Sequence, residues 1–112
     1  MTAPLVWLLA AALSVTTPHA WQGPAPLVST SPGSPVAHTL MKVAASGLPH
    51  GVSSANLIAG KDEHRMRPLG GGVYRADLLA PVAGPLVLSV RFWRLGTLYA
   101  IPGGTVLVRP KR

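Results

Sequence analysis

The residues able to do chemistry in this 112-residue chain are few: four histidines, three methionines, three carboxylates and no cysteine. Imidazole and thioether ligands together suit a soft metal, Cu(I) above all. His64 and Met66 stand two apart, so an extended segment places both on one face. His38 and Met41 stand three apart on what reads as the first strand. They point to opposite faces there, and only one of them can join the other pair. The candidate metal set is therefore His64 and Met66, completed by Met41 or His38, with copper as the ion. The competing structural reading puts Met66 in the core and leaves His64 solvated. His50 lies in a Gly-Pro turn and reads as solvated. Without cysteine there is no disulfide frame, thiolate zinc site or cysteine nucleophile.

Nothing in the sequence assembles a catalytic group. Ser53 and Ser54 have no evident acid partner. Asp62 and Glu63 are adjacent in a polar turn and read as solvated. Asp77 shares a strand face with Arg75, which predicts a surface ion pair worth little. Gly70–Gly72 lacks the Lys-Ser/Thr of a phosphate loop and precedes a strand instead of a helix. The expectation is a non-catalytic protein with no catalytic and no cofactor-binding residues.

The elements that must position these residues are strands. Glycine and proline number 12 each, which argues against a helical bundle. Short apolar runs recur between Gly and Pro clusters. They predict strands over 37–45, 52–59, 73–79 and 85–94, and a final hairpin of 97–101 and 105–109 around Pro102-Gly103-Gly104. Residues 60–63 read as a turn, and residues 64–69 as a short strand or extended loop. Alternation sets Tyr74, Ala76, Leu78, Leu86, Leu88, Val90 and Phe92 inward, with Ser89, Arg91 and Trp93 outward. About seven such strands predict an all-β, immunoglobulin-like antiparallel sandwich over roughly residues 36–109. A small barrel would use the same pattern.

The N-terminus reads differently. Leu5–Val15 (LVWLLAAALSV) is apolar and uncharged. A helix of about 15 residues spans ~22 Å, short of a ~30 Å bilayer core, which suits a secretory signal. Residues 1–20 are expected to be a signal peptide cut near Ala20, taking His19 with it, or a short membrane anchor. Residues 21–35 have four prolines and read as an extended linker, with residues 36–112 as the sandwich domain. The net charge is +7, and the first charged side chain is Lys42. The basic residues are spread over the domain without an aromatic platform beyond Trp93, so no nucleic acid is expected. Solubility is the plain reading of the charge. Anionic lipid headgroups or an acidic protein are the partners it would suit.

Residues 66–90 (MRPLGGGVYRADLLAPVAGPLVLSV) hold a Met-x-Pro-Leu run, then Gly-x-Tyr-x-Ala-x-Leu, then Pro-x-x-Gly before an alternating strand. This resembles the YtkA-like domain family and its FixH-like and CopC-like relatives. The resemblance covers about 25 residues, in which Tyr74 starts a strand after a glycine turn and Gly84 precedes the next. Pro85-Leu86 departs from the family's aromatic position. The resemblance implies a small exported or membrane-tethered immunoglobulin-like domain of the periplasm or envelope, connected with metal handling and oxidase assembly. The leading expectation is a non-catalytic accessory domain that binds a membrane or envelope protein. The alternatives are a periplasmic copper-handling protein and a structural subunit that packs through its hydrophobic N-terminus.

Overall fold

Alternation is strongest in PLVLSVRFWR, where Leu86, Leu88, Val90 and Phe92 are separated by Val87, Ser89, Arg91 and Trp93. In the computed structural model, which describes residues 17–111, these residues lie in one strand, β8 (Gly84–Arg94). Its even-numbered apolar positions are buried, with Val90 and Phe92 fully enclosed. Eight more strands surround it. They are β1 (His19–Ala20), β2 (Leu27–Ser31), β3 (Leu40–Ser46), β4 (Val52–Ala59), β5 (Asp62–Arg65), β6 (Arg67–Gly70), β7 (Val73–Leu79) and β9 (Thr97–Val108).

The strands form two sheets. One has the order β1-β9-β8-β4-β5 and the other β2-β3-β7-β6. All pairings are antiparallel except β1 on β9. Leaving out the short β1, this is the immunoglobulin arrangement, with consecutive strands exchanged between two facing sheets. The first sheet contributes Ala55, Leu57, Leu88, Val90 and Phe92 to the core. The second contributes Met41, Val43, Ala45, Ala76 and Leu78. No buried polar or charged residue occurs among the described residues. The inward set expected on β7 and β8 is buried, with Tyr74 half-buried against it.

Three features depart from the sequence expectation. First, residues 21–35 are not a free linker. Val28 and Thr30 alternate with more exposed neighbours in β2, which pairs with β3 from Leu27↔Ser46 to Ser31↔Lys42. Pro35 is fully buried, and Arg109 N donates to its carbonyl at 2.8 Å. The prolines flank a five-residue edge strand instead of interrupting it, a position that costs no ladder hydrogen bond.

Second, Pro102-Gly103-Gly104 is not a turn. β9 runs continuously past it, and the register with β8 slips by one residue: Leu88 faces Gly104 while Ser89 faces Pro102. Gly103 is the extra residue of a bulge. Before it the inward positions are odd (Tyr99, Ile101). After it they are even (Val106, Val108). A Cβ on Gly103 would sit 3.0 Å from Leu88 Cβ and 3.1 Å from its carbonyl carbon, so only glycine fits without a shift.

Third, residues 62–70 divide between the sheets. Met66 N donates to Ala55 O at 2.9 Å, continuing the β4–β5 ladder, and the next residue, Arg67, already pairs with Arg75 across the sandwich. Met66 is the pivot where the chain changes sheets, and its side chain turns into the core.

The hairpin between β8 and β9 closes at Leu95-Gly96, both with positive φ (50° and 81°), the two-residue primed turn that matches strand twist. Nearby, Gly72 lies under the β3–β4 connection. Leu48 N donates to its carbonyl, and a Cβ there would meet Leu48 O at 2.8 Å. The expected export segment at 5–15 lies outside the described residues, and so does all of residues 1–16.

Candidate functional site

The four candidate metal ligands divide into two environments. His64 stands directly across from Leu57, and Met66 follows two residues later on the same face, as an extended segment requires. Met66 is 3% exposed and Met41 is fully buried, both within the single core cluster. His64 is half-buried on edge strand β5. His38 is not on a strand. It occupies the turn before β3 with φ 63° and an exposed side chain, and its N–H donates to Ala80 O at 2.9 Å. The positive φ takes His38 out of the strand alternation assumed for it. The two thioethers therefore serve as core packing, and a metal that used them would have to open the sandwich. The two imidazoles lie outside that core. His50 is exposed in the β3–β4 connection.

The carboxylates sit on strand surfaces. Asp77 lies beside Arg75 on β7, with Arg75 Nη2 donating to Asp77 Oδ2 at 3.3 Å. Arg75 Nε is 3.2 Å from Asp77 Oδ1, but the approach is too bent for a hydrogen bond. Arg67 adds a looser contact at 3.9 Å. The ion pair expected between residues 75 and 77 is thus present, half in solvent. Glu63 accepts from Asn56 Nδ2 across the β4–β5 pair. Asp77 and Glu63 are each engaged by their own neighbours, an arrangement that suits a stable surface.

The strongest surface feature is the outer face of the β9-β8-β4 sheet. Outward alternation on β8 presents Pro85, Val87, Ser89, Arg91 and Trp93. Their partners on β9 are Leu107, Thr105, Pro102, Ala100 and Leu98. On β4 the outward partners are Ile58, Asn56 and Ser54. Val87 and Leu107 are about 60% exposed and Trp93 37%. Leu98, across from Trp93, is 8% exposed although it is not part of the core cluster. Arg91 is the one charged residue on these three strands' outward face. Of the residues on this face, Trp93 and Arg91 are of the types enriched where proteins meet, while Ser89, Ser54 and Ala100 are of the types depleted there. The sequence had already set Ser89, Arg91 and Trp93 outward. It missed the β9 half of the face, because the bulge at Gly103 reverses which residues point out.

An aromatic cluster closes the β1 edge of the sandwich. Trp21 packs edge-on against Phe92 (5.6 Å) and Tyr99 (5.1 Å), while Phe92 and Tyr99 stack at 5.5 Å. Arg94 lies over the Trp21 ring at 5.5 Å and donates from Nε to His50 O at 2.6 Å.

No family model matches the sequence, and no curated protein matches it. Among solved structures the fold is similar to part of the X-ray structure of the endo-beta-1,4-mannanase from Thermotoga petrophila. The TM-score is 0.59 at 13% identity over 79% of this chain. The match spans only 20% of the mannanase chain, so the likeness is one of fold.

Proposed function

We propose that this protein is a non-catalytic accessory domain of the cell envelope, exported through its apolar N-terminal segment, that binds a membrane or envelope protein. The observation that carries the reading is the outer face of β9-β8-β4, where exposed Val87 and Leu107 lie toward one end and Trp93 and the single cation Arg91 toward the other. Monomers place scattered apolar residues on their surfaces. An outward face on the three longest strands that gathers Val87, Leu107, Leu98, Trp93 and Ile58 is a different matter and supports an interaction surface. Tryptophan and arginine are the side chains that most often dominate binding energy at such faces. The resemblance of residues 66–90 to YtkA-like domains supports the envelope setting, and Leu5–Val15 supports export.

Two experiments test it. Pull-down from native membranes with the full chain is expected to recover a membrane protein that the Val87→Asp and Leu107→Asp variants lose, while Leu79→Asp on the opposite sheet retains it. Equal recovery by all variants removes this face from the reading. Fractionation with N-terminal sequencing tests export, and a cytoplasmic protein that retains Met1 removes the envelope setting.

A further inference from the structure

The end of the sandwich that carries Leu95 differs from the rest of the surface in three respects. Leu95 occupies the first position of the primed β8–β9 turn with φ 50°, a conformation that favours Asn or Gly, and its side chain is 76% exposed. A large apolar residue held both strained and in solvent suggests a use outside the fold. Its side chain lies over the β3–β4 connection, 3.3 Å from where a Cβ on Gly51 would stand. Exposed Leu27 at the start of β2 and Leu69 at the end of β6 belong to the same end.

The opposite end is the more heavily charged, with Lys42, Lys61, Arg109 and all three carboxylates, and the Leu95 end is nearly free of charge. Asp62 and Glu63 pair with Ala59 and Ile58, at the far end of β4 from Val52. Asp77 pairs with Lys42, near the start of β3. The segments at the Leu95 end, residues 21–27, 46–52, 69–74 and 93–98, contain no carboxylate but include Arg94, two tryptophans and Tyr74. Trp21, Tyr74 and Arg94 are engaged within the fold, which leaves Trp93 beside the exposed leucines as the aromatic side chain free to settle at a membrane–water interface.

The direction of the chain supplies the third point. β1 runs parallel to β9, with His19 opposite Tyr99 and Ala20 opposite Ala100. Thr17 and Pro18, which precede His19, therefore lie on the side of Thr97 and the Leu95-Gly96 turn. The apolar stretch Leu5–Val15 is joined to the domain at this same end.

We infer that the Leu95 end of the sandwich faces the lipid bilayer in the unprocessed chain, with the Leu95 side chain at the acyl boundary and the β9-β8-β4 face turned sideways toward a protein partner. The inference rests on the envelope reading only in requiring a membrane, since binding by the sheet face does not depend on it.

The absence of cysteine makes the test direct, because each introduced thiol is unique. Full-length Leu95→Cys, Leu69→Cys and Val82→Cys proteins carry a nitroxide and are reconstituted on vesicles of phosphatidylethanolamine and phosphatidylglycerol. Val82, 72% exposed in the β7–β8 turn, reports on the opposite end. The labels at 95 and 69 are expected to lose most of their collisions with an aqueous nickel chelate and to gain collisions with oxygen. The label at 82 is expected to stay as it is in solution. Labels at 95 and 69 as accessible as that at 82, or immersion of 82 alone, overturn the inference. Vesicles of phosphatidylcholine alone separate apolar contact from attraction to anionic headgroups: the same immersion is expected there, and its loss overturns seating through the leucines. If the labels fail while Val87→Asp still abolishes pull-down, only the orientation falls. If the reverse is found, only the sheet-face reading falls.

Discussion

Phe92 is the side chain on which most of the interior converges. It is fully buried, packs against Trp21 and Tyr99, and stands opposite Ala55. Truncation to alanine leaves a cavity between two sheets that relax only in part, at a cost of ~3–5 kcal/mol. Domains of this kind hold ~5–15 kcal/mol in total. Phe92→Ala is expected to lower the denaturant midpoint sharply or abolish the transition, and an unchanged midpoint would mean the β8 register is wrong. Leu95 is the opposite case. Its left-handed conformation costs roughly 1–2 kcal/mol for a side chain with a Cβ, and asparagine tolerates it better. Leu95→Asn is expected to raise stability by about 1 kcal/mol, read as a higher Tm in solution. A lower Tm would show that the exposed leucine contributes to packing. Phe92 was legible in the sequence, because period-2 alternation sets its direction whatever the neighbours are. The φ of Leu95 was not, because Leu-Gly lacks the Asn-Gly signature of its turn.

The elements that were misread failed for one physical reason: proline and glycine mark a break in regular pairing without specifying whether the chain turns, bulges or continues. In β9, Pro102-Gly103-Gly104 has a turn's composition but a bulge's role. The inward residues on its two sides differ in parity, which a hairpin does not require and a one-residue insertion does. That parity change was present in the sequence as Tyr99 and Ile101 against Val106 and Val108. The close approach of Gly103 to Leu88 could come only from the structure. Gly103→Val, which puts a branched side chain where Leu88 stands 3.0 Å away, is expected to cost about 1–3 kcal/mol. Circular dichroism melts decide this, and a neutral result would mean that the bulge relaxes freely. β2 was hidden in a Pro-Ser stretch, yet Leu27–Ser31 alternates well enough to pair five residues with β3. β7 and β4 matched the expected ranges, each bounded by glycine or proline on a strand with buried alternate positions. As for the candidate metal ligands, the sequence left open whether Met66 is a ligand or core packing, and the structure buries it while His64 stays half-buried at the sheet edge.

At the scale of the molecule, the N-terminal residues are structural in two unequal steps. Removing residues 1–20 takes away β1, two residues paired with Tyr99 and Ala100, and leaves Trp21 on its aromatic cluster. Removing residues 1–35 also takes Trp21, all of β2 and the buried Pro35. A fully buried apolar side chain is worth roughly 1.5–3 kcal/mol, and loss of β2 bares the edge of β3 as well. The shorter truncation is expected to melt cooperatively close to the full chain. The longer one is expected to be unfolded or aggregated by size-exclusion chromatography, and a well-folded 36–112 fragment would restore the linker reading.

The charge distribution gives the other expectation at this scale. The net charge is +7, and every charged side chain lies at or beyond Lys42. Self-repulsion among the cations opposes the compact state. The pairs that work the other way, Arg67 and Arg75 on Asp77, are partly exposed, and exposed pairs are worth a few tenths of a kcal/mol to about 1 kcal/mol. Salt screens both, but with ten cations against three carboxylates the repulsive pairs outnumber the attractive ones. The Debye length falls from ~30 Å at 0.01 M to ~10 Å at 0.1 M, so repulsion across the whole sandwich is removed over that interval, while contacts within 4 Å are barely touched. Stability is therefore expected to rise, by on the order of 1 kcal/mol, as sodium chloride increases over this range. Thermal melts of the full chain in otherwise constant buffer measure it. A Tm that falls with salt would mean that the Asp77 cluster outweighs the remaining cations, and Asp77→Asn would then have to reverse the trend.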